Sequence, residues 1–147
     1  MQKGLKLIGA IVVCQLVGGL GALVTTPAIS GWYADLIKPS FNPPNWIFGP
    51  VWIGLYLLMG IAWWRADKAG NKLFLGQLGV NWLWSMVFFG LKQPWFGVGV
   101  IVILWGLIWL TMKKFMRLSR LAGWLLLPYL LWVSFATILN IAVAILN

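Results

Sequence analysis

Five uncharged apolar runs, Leu7–Val24, Ile47–Trp64, Leu73–Leu91, Trp95–Met112 and Leu121–Leu146, occupy most of this 147-residue chain, and each is at least 18 residues long. A helix crossing the hydrocarbon core of a bilayer takes about 20 mostly apolar residues, with a range of about 17 to 25. In lipid every backbone polar group must be satisfied within a helix or a closed barrel, and a barrel needs an alternation of apolar and polar residues that these solid runs lack. The predicted fold is therefore all-α: one integral-membrane domain over residues 1–147, a bundle of five transmembrane helices at about 5–25, 44–65, 71–91, 95–114 and 120–146. Only 9% of residues are charged, against roughly 25% in an ordinary soluble domain, and mean hydropathy is +0.92. The first run follows Lys3 and Lys6 like a signal peptide, but its apolar part exceeds the roughly 7 to 15 residues of a signal core, so it reads as a true span.

Orientation follows from the eleven Lys and Arg. An inside N-terminus and outside C-terminus put Lys3, Lys6, Arg65, Lys68, Lys72, Lys113, Lys114, Arg117 and Arg120 on the cytoplasmic side and leave Lys38 and Lys92 outside, as the positive-inside rule requires. The net charge of +9 is thereby a matter of topology, with membrane lipid headgroups as counterions and no nucleic-acid partner expected. Cys14 is alone, there is no histidine, and the two acidic residues, Asp35 and Asp67, lie outside the runs. That composition offers no imidazole for a metal and no intramembrane carboxylate pair, so no metal site and no hydrolytic or metal-dependent chemistry are expected.

Within this frame the chain carries twelve tryptophans. The one long connection, Thr25–Pro44, falls outside and holds Trp32, Tyr33, Phe41, Pro39, Pro43 and Pro44. Proline fixes φ, so the segment has a defined shape, either a lid or an interfacial aromatic belt. In the third run Gln77, Asn81, Trp84, Ser85 and Phe88 recur at spacings of three and four, which puts amides and rings on one helical face. They serve there as interhelical glue or as a binding wall. In the fifth run Trp132, Phe135, Ala136, Leu139 and Asn140 form a second stripe, and Pro128 is placed to kink the helix. The topology brings loop and both stripes to the outer half of the membrane, as a lidded cavity requires. Trp63, Trp64, Trp95, Trp105, Trp109 and Trp124 read as belt or packing residues, Trp82 and Trp84 as either, and Trp32, Trp46, Trp52 and Trp132 as rings able to handle a flat ligand.

The order Trp32-Tyr33-x-x-Leu36-x-Lys38-Pro39-x-Phe41-x-Pro43-Pro44-x-Trp46-x-Phe48-x-Pro50-Val51-Trp52, then Gln77-Leu78-x-x-Asn81-Trp82-x-Trp84 with Phe88-Phe89-Gly90, then Pro128-Tyr129-Leu130-x-Trp132-x-x-Phe135-Ala136-Thr137-x-Leu139-Asn140 resembles the tryptophan-rich sensory protein family, also called translocator protein or peripheral benzodiazepine receptor. The resemblance covers nearly the whole chain and looks bacterial, which implies the bacterial cytoplasmic membrane. It implies a five-helix bundle, often a homodimer, with a pocket beneath the first loop for protoporphyrin IX and for benzodiazepine or isoquinoline ligands. It also implies light- and oxygen-dependent porphyrin degradation in some members, with no obligatory cofactor. On this resemblance Trp46, Trp132 and Trp32 are candidate redox-active indoles. Tyr33, Lys38, Pro39, Phe41, Pro43, Pro44, Phe48 and Trp52 are candidate ligand contacts from the first motif, as are Asn81, Trp84, Phe88, Phe135, Ala136, Leu139 and Asn140 from the other two. A transporter or a stress-sensing partner is the alternative role.

Two departures limit what carries over. The fifth run ends Leu139-Asn140-Ile141-Ala142-Val143, without the tyrosine and arginine of the sterol motif proposed for animal relatives, so cholesterol binding is not expected. Lys72 stands four residues before Gly76, where some relatives carry a small-xxx-small dimer pattern.

Overall fold

A computed structural model describes residues Met1–Asn147. The protein is all-helical, and five of its helical stretches are long and apolar enough to cross a membrane. Helix α1 is Gln2–Ser30. A 3-10 turn at Tyr33–Asp35 and another at Asn45–Ile47 bracket the first connection, which leads into α2, Phe48–Ala66. Helix α3, Asn71–Ser85, continues without a break into a π-helical turn, Met86–Gly90. Then come α4, Pro94–Leu118, α5, Arg120–Leu125, and α6, Leu127–Leu146; α5 and α6 together make the fifth span.

Two boundaries correct the sequence reading. α1 runs past residue 25 to Ser30, so the first connection is Gly31–Pro44 and not Thr25–Pro44. Pro27 lies inside the last turn and lacks only its own N–H, while its carbonyl accepts from Gly31 N–H at 3.1 Å and so closes the helix. The fifth span breaks at Leu126, two residues before Pro128. There the proline sits in the first turn of α6, where a missing N–H leaves nothing unpaired.

Three layers of side chains run from the basic end of the bundle toward the first connection. At the basic end the rings are packed solid. Trp63 stacks on Phe74 at 4.8 Å and 18°, Phe74 stacks on Phe115 at 6.0 Å and 14°, and Trp63 Nε1–H donates to Asn71 Oδ1 at 2.7 Å. α1 and α2 approach closely beside this layer, since a Cβ on Gly60 would lie 2.6 Å from Ile11 Cα.

Above it is a buried polar lock joining α2, α3 and α6. Tyr56 Oη–H donates to Asn81 Oδ1 at 2.8 Å, Asn81 Nδ2–H donates to Tyr129 Oη at 2.6 Å, and Tyr129 Oη–H donates to Gln77 Oε1 at 2.8 Å. All four residues are buried, and polar groups in lipid need such partners. The third layer, nearest the connection, does not close. On the outer face of α3, Gly76 and Gly79 have nothing within 4 Å of an added Cβ, so that small-residue surface is unpartnered within the chain.

Candidate functional site

The open layer holds a cavity of about 420 Å³ between α1, the first half of α2, the end of α3 and the middle of α6. Each wall has a local cause. On α2, Phe48, Trp52 and Tyr56 lie four residues apart and so share one face. At the end of α3 the π turn, marked by Leu91 N–H bonding Met86 O at 2.8 Å, brings Phe88 and Phe89 in together, and both are buried cavity walls. Such turns recur at functional sites. On α6, Trp132, Phe135, Ala136, Leu139 and Asn140 line the cavity as one stripe, with Ala136 leaving room between the rings.

Trp84 and Phe88 stack at 5.4 Å and 23°, but the rings across the space meet edge-on or tilted. Phe48 meets Trp132 at 6.2 Å and 70°, and Trp132 meets Phe135 at 5.5 Å and 40°. Tyr33 roofs the space, meeting Phe48 at 89° and Phe88 and Phe89 at 56°. The connection is fixed over it by its own polar groups. Tyr33 Oη–H donates to Asn42 Oδ1 at 2.7 Å, and Lys38 Nζ donates to the carbonyls of Tyr33, Ala34 and Leu36 at 3.0–3.1 Å. Asn147 clamps it from α6: its Oδ1 accepts from Ile37 N–H at 2.9 Å and its Nδ2–H donates to Ile37 O at 2.8 Å. Phe41 leans on Phe135 at 6.2 Å.

Among the polar atoms of the walls, one stands apart. Asn140 is committed, accepting from Trp84 Nε1–H at 3.0 Å and donating to Pro94 O at 2.9 Å. Trp132 Nε1–H is buried and has no partner. An indole N–H normally finds one when buried, and this one has no surface open to the cavity.

The predicted residues separate into two groups. Tyr33, Phe48, Trp52, Trp84, Phe88, Trp132, Phe135, Ala136, Leu139 and Asn140 line the cavity. Asn81 does not: both ends of its amide are taken by Tyr56 and Tyr129, which makes it interhelical glue. Lys38, Pro39, Phe41, Pro43 and Pro44 shape the connection without lining the cavity. Trp32 stops short of the cavity, packing edge-on against Phe88 at 5.6 Å. Trp46 is 72% exposed on the outer surface, because it lies two residues before Phe48 and so about 200° around the helix axis. Of the three candidate redox indoles, only Trp132 faces the cavity.

The sequence reading missed the α1 wall. Gln15, Gly18, Gly19, Ala22, Thr25, Thr26 and Ile29 line the cavity along one side of that helix. Gly18 is required there, since a Cβ would collide with the Tyr56 ring. Gly19, Ala22 and Thr26 on α1, with Gly49 and Ile53 on α2, are both lining and exposed, so the cavity opens sideways between these helices. Gln15 Nε2–H closes the lower edge of that slot by donating to Ile53 O at 3.0 Å. The signal was the spacing of small residues at 18, 22 and 25, which an apolar count does not register.

Known proteins place the whole arrangement. The sequence is 43% identical to the Tryptophan-rich protein TspO of Chlorobaculum tepidum, across 97% of this chain and 96% of that protein. It is 42% identical to the Tryptophan-rich protein TspO of Archaeoglobus fulgidus, across 97% of each, and 37% identical to the Translocator protein of Homo sapiens, across 87% of this chain and 84% of that protein. Residues 10–146, which include every wall of the cavity, match the TspO/MBR family; this chain belongs to that family.

Proposed function

We propose that the protein is a membrane receptor for porphyrins, protoporphyrin IX first among them, and for flat apolar ligands of the benzodiazepine and isoquinoline type. The observation that carries this reading is an aromatic-walled cavity of about 420 Å³ whose walls include Phe48, Phe88 and Trp132. Sites for drug-sized ligands span about 300–1,000 Å³ and combine apolar walls with a few placed polar groups. A porphyrin has a broad π face for Phe48, Phe88 and Trp132. The side opening supports entry from the bilayer, where such ligands partition.

Light-dependent porphyrin degradation is the activity this reading assigns to the bound state, with the porphyrin as light absorber and oxygen as oxidant. The chain's own part is to hold the ring against Trp132 and keep water out; no activated nucleophile lines the cavity. Transport is less well supported, because the polar lock and the Trp63–Phe74–Phe115 stack fill the bundle beneath the cavity. An outside-facing connection, from the positive-inside bias, and a homodimer belong to the same reading.

The test is protoporphyrin IX titration in the dark. Saturable quenching of tryptophan emission is expected, with Ala136→Phe shifting its midpoint at least tenfold. Quenching that never saturates, equal to that in protein-free detergent, would sink the receptor reading. Porphyrin counterflow into protein-containing vesicles alone would replace it with transport.

A further inference from the structure

The basic end carries a second recess, chemically opposite to the first. The start of α1, the end of α2 and the α4–α5 junction enclose about 420 Å³ lined by Lys3, Lys6, Trp64, Arg65, Asp67 and Ser119. Three cations face one carboxylate, and all three lie on exposed positions. Lys38, at the other end, spends its ammonium on three carbonyls of its own loop. Bundling three cations in one concavity concentrates positive potential there.

The surroundings distinguish a lipid from a soluble anion. The recess lies at the ends of two membrane-spanning helices, the depth at which phospholipid headgroups sit. Trp64, half-buried in its wall, is the amphipathic ring that anchors at that level. Further into the membrane α1 shows exposed Val13 and Leu20, seven and fourteen residues after Lys6 and so on the same side of the helix, an apolar track along which acyl chains can lie.

We propose that this recess is a binding site for one anionic phospholipid, with its phosphate among Lys3, Lys6 and Arg65 and its acyl chains along the outer face of α1. Asp67 and Ser119 border the same recess; as an acceptor and a hydroxyl they suit a headgroup that carries its own hydroxyls, as phosphatidylglycerol does. A lone positive-inside bias would spread lipid contacts over all nine basic residues. The recess localises them to three.

Native mass spectrometry of the full chain, purified in neutral detergent and titrated with dioleoyl phosphatidylglycerol, reads the first bound lipid directly. The combined variant Lys3→Gln, Lys6→Gln, Arg65→Gln is compared with Lys113→Gln, Lys114→Gln, Arg117→Gln, which removes the same charge from the same end outside the recess. Each cation near an anionic headgroup is worth roughly fivefold in affinity. The recess variant is expected to weaken the first phosphatidylglycerol by at least tenfold and the control by less than about twofold, with phosphatidylcholine adducts unchanged in both. Circular dichroism melting of both variants verifies the fold. Equal losses in the two variants would overturn the proposal in favour of diffuse attraction. Displacement of the lipid by inorganic phosphate at equal concentration would overturn it in favour of a soluble anion, and equal retention of phosphatidylcholine would remove the charge argument.

Discussion

The two ends of the bundle use the same residue types to opposite effect. At the basic end Trp63, Phe74 and Phe115 lie nearly parallel, at 18° and 14°, with Phe74 and Phe115 fully buried. Near the first connection Phe48, Trp132, Phe135, Tyr33 and Phe88 meet at 40° to 89° around a cavity of about 420 Å³. Aromatic richness does not separate packing from binding, and neither does stacking alone, since Trp84 and Phe88 in the cavity wall stack at 23°; the fate of the polar atoms differs. Trp63 Nε1–H has Asn71 as partner, whereas Trp132 Nε1–H has none.

Emptying the packed end should do the greatest damage. Phe115→Ala removes a fully buried ring from the stack and should cost about 3 kcal/mol or more, seen as a drop in Tm on the order of 10 °C by circular dichroism in detergent. An unchanged Tm would mean that the two ends are equally loose. Next comes the polar layer between them. Asn81→Leu strands the hydroxyl of Tyr56 and leaves that of Tyr129 with Gln77 alone, and a buried polar group without its partner costs about 1–3 kcal/mol. Tm should fall while the cavity walls, none of which is Asn81, still bind protoporphyrin IX once the variant is folded. Loss of binding at full helicity would place Asn81 back in the site.

Filling the open end should reverse the pattern. Ala136→Phe projects a ring into the cavity and is expected to weaken porphyrin binding at least tenfold, about 1.4 kcal/mol, with Tm lowered less than in Phe115→Ala. The smallest effect falls on the loop. Asn147→Ala removes the clamp on Ile37, each exposed hydrogen bond being worth about 0.5–1.5 kcal/mol, and should speed porphyrin dissociation several-fold in stopped flow while lowering Tm by only a few degrees.

Much of this contrast was legible in residue order, and what was not has physical causes. Apolar run length located all five spans because lipid imposes one length and one backbone solution. Residue order alone starts the first connection at Thr25, whereas α1 runs on through Pro27 to Ser30, giving up only the one bond from Pro27 to the preceding turn. Spacing placed Trp84, Phe88 and the α6 stripe on the right faces, but it could not show that Asn81 is saturated by tyrosines from two other helices. Trp46 sits in the same motif as Phe48, yet a two-residue phase difference turns it outward. Phe89 joins Phe88 in the wall because of a π turn that no periodicity announces.

The central claim is that the ring facing the cavity, and not the exposed ring beside it in the motif, meets the ligand. It is tested by preparing Trp132→Phe and Trp46→Phe in parallel, loading each with protoporphyrin IX in the dark, and following loss of the Soret band under light in air. Trp132→Phe should retain saturable binding and slow the photochemical loss several-fold, while Trp46→Phe matches the parent protein. Slowing by Trp46→Phe with Trp132→Phe unchanged would contradict the account.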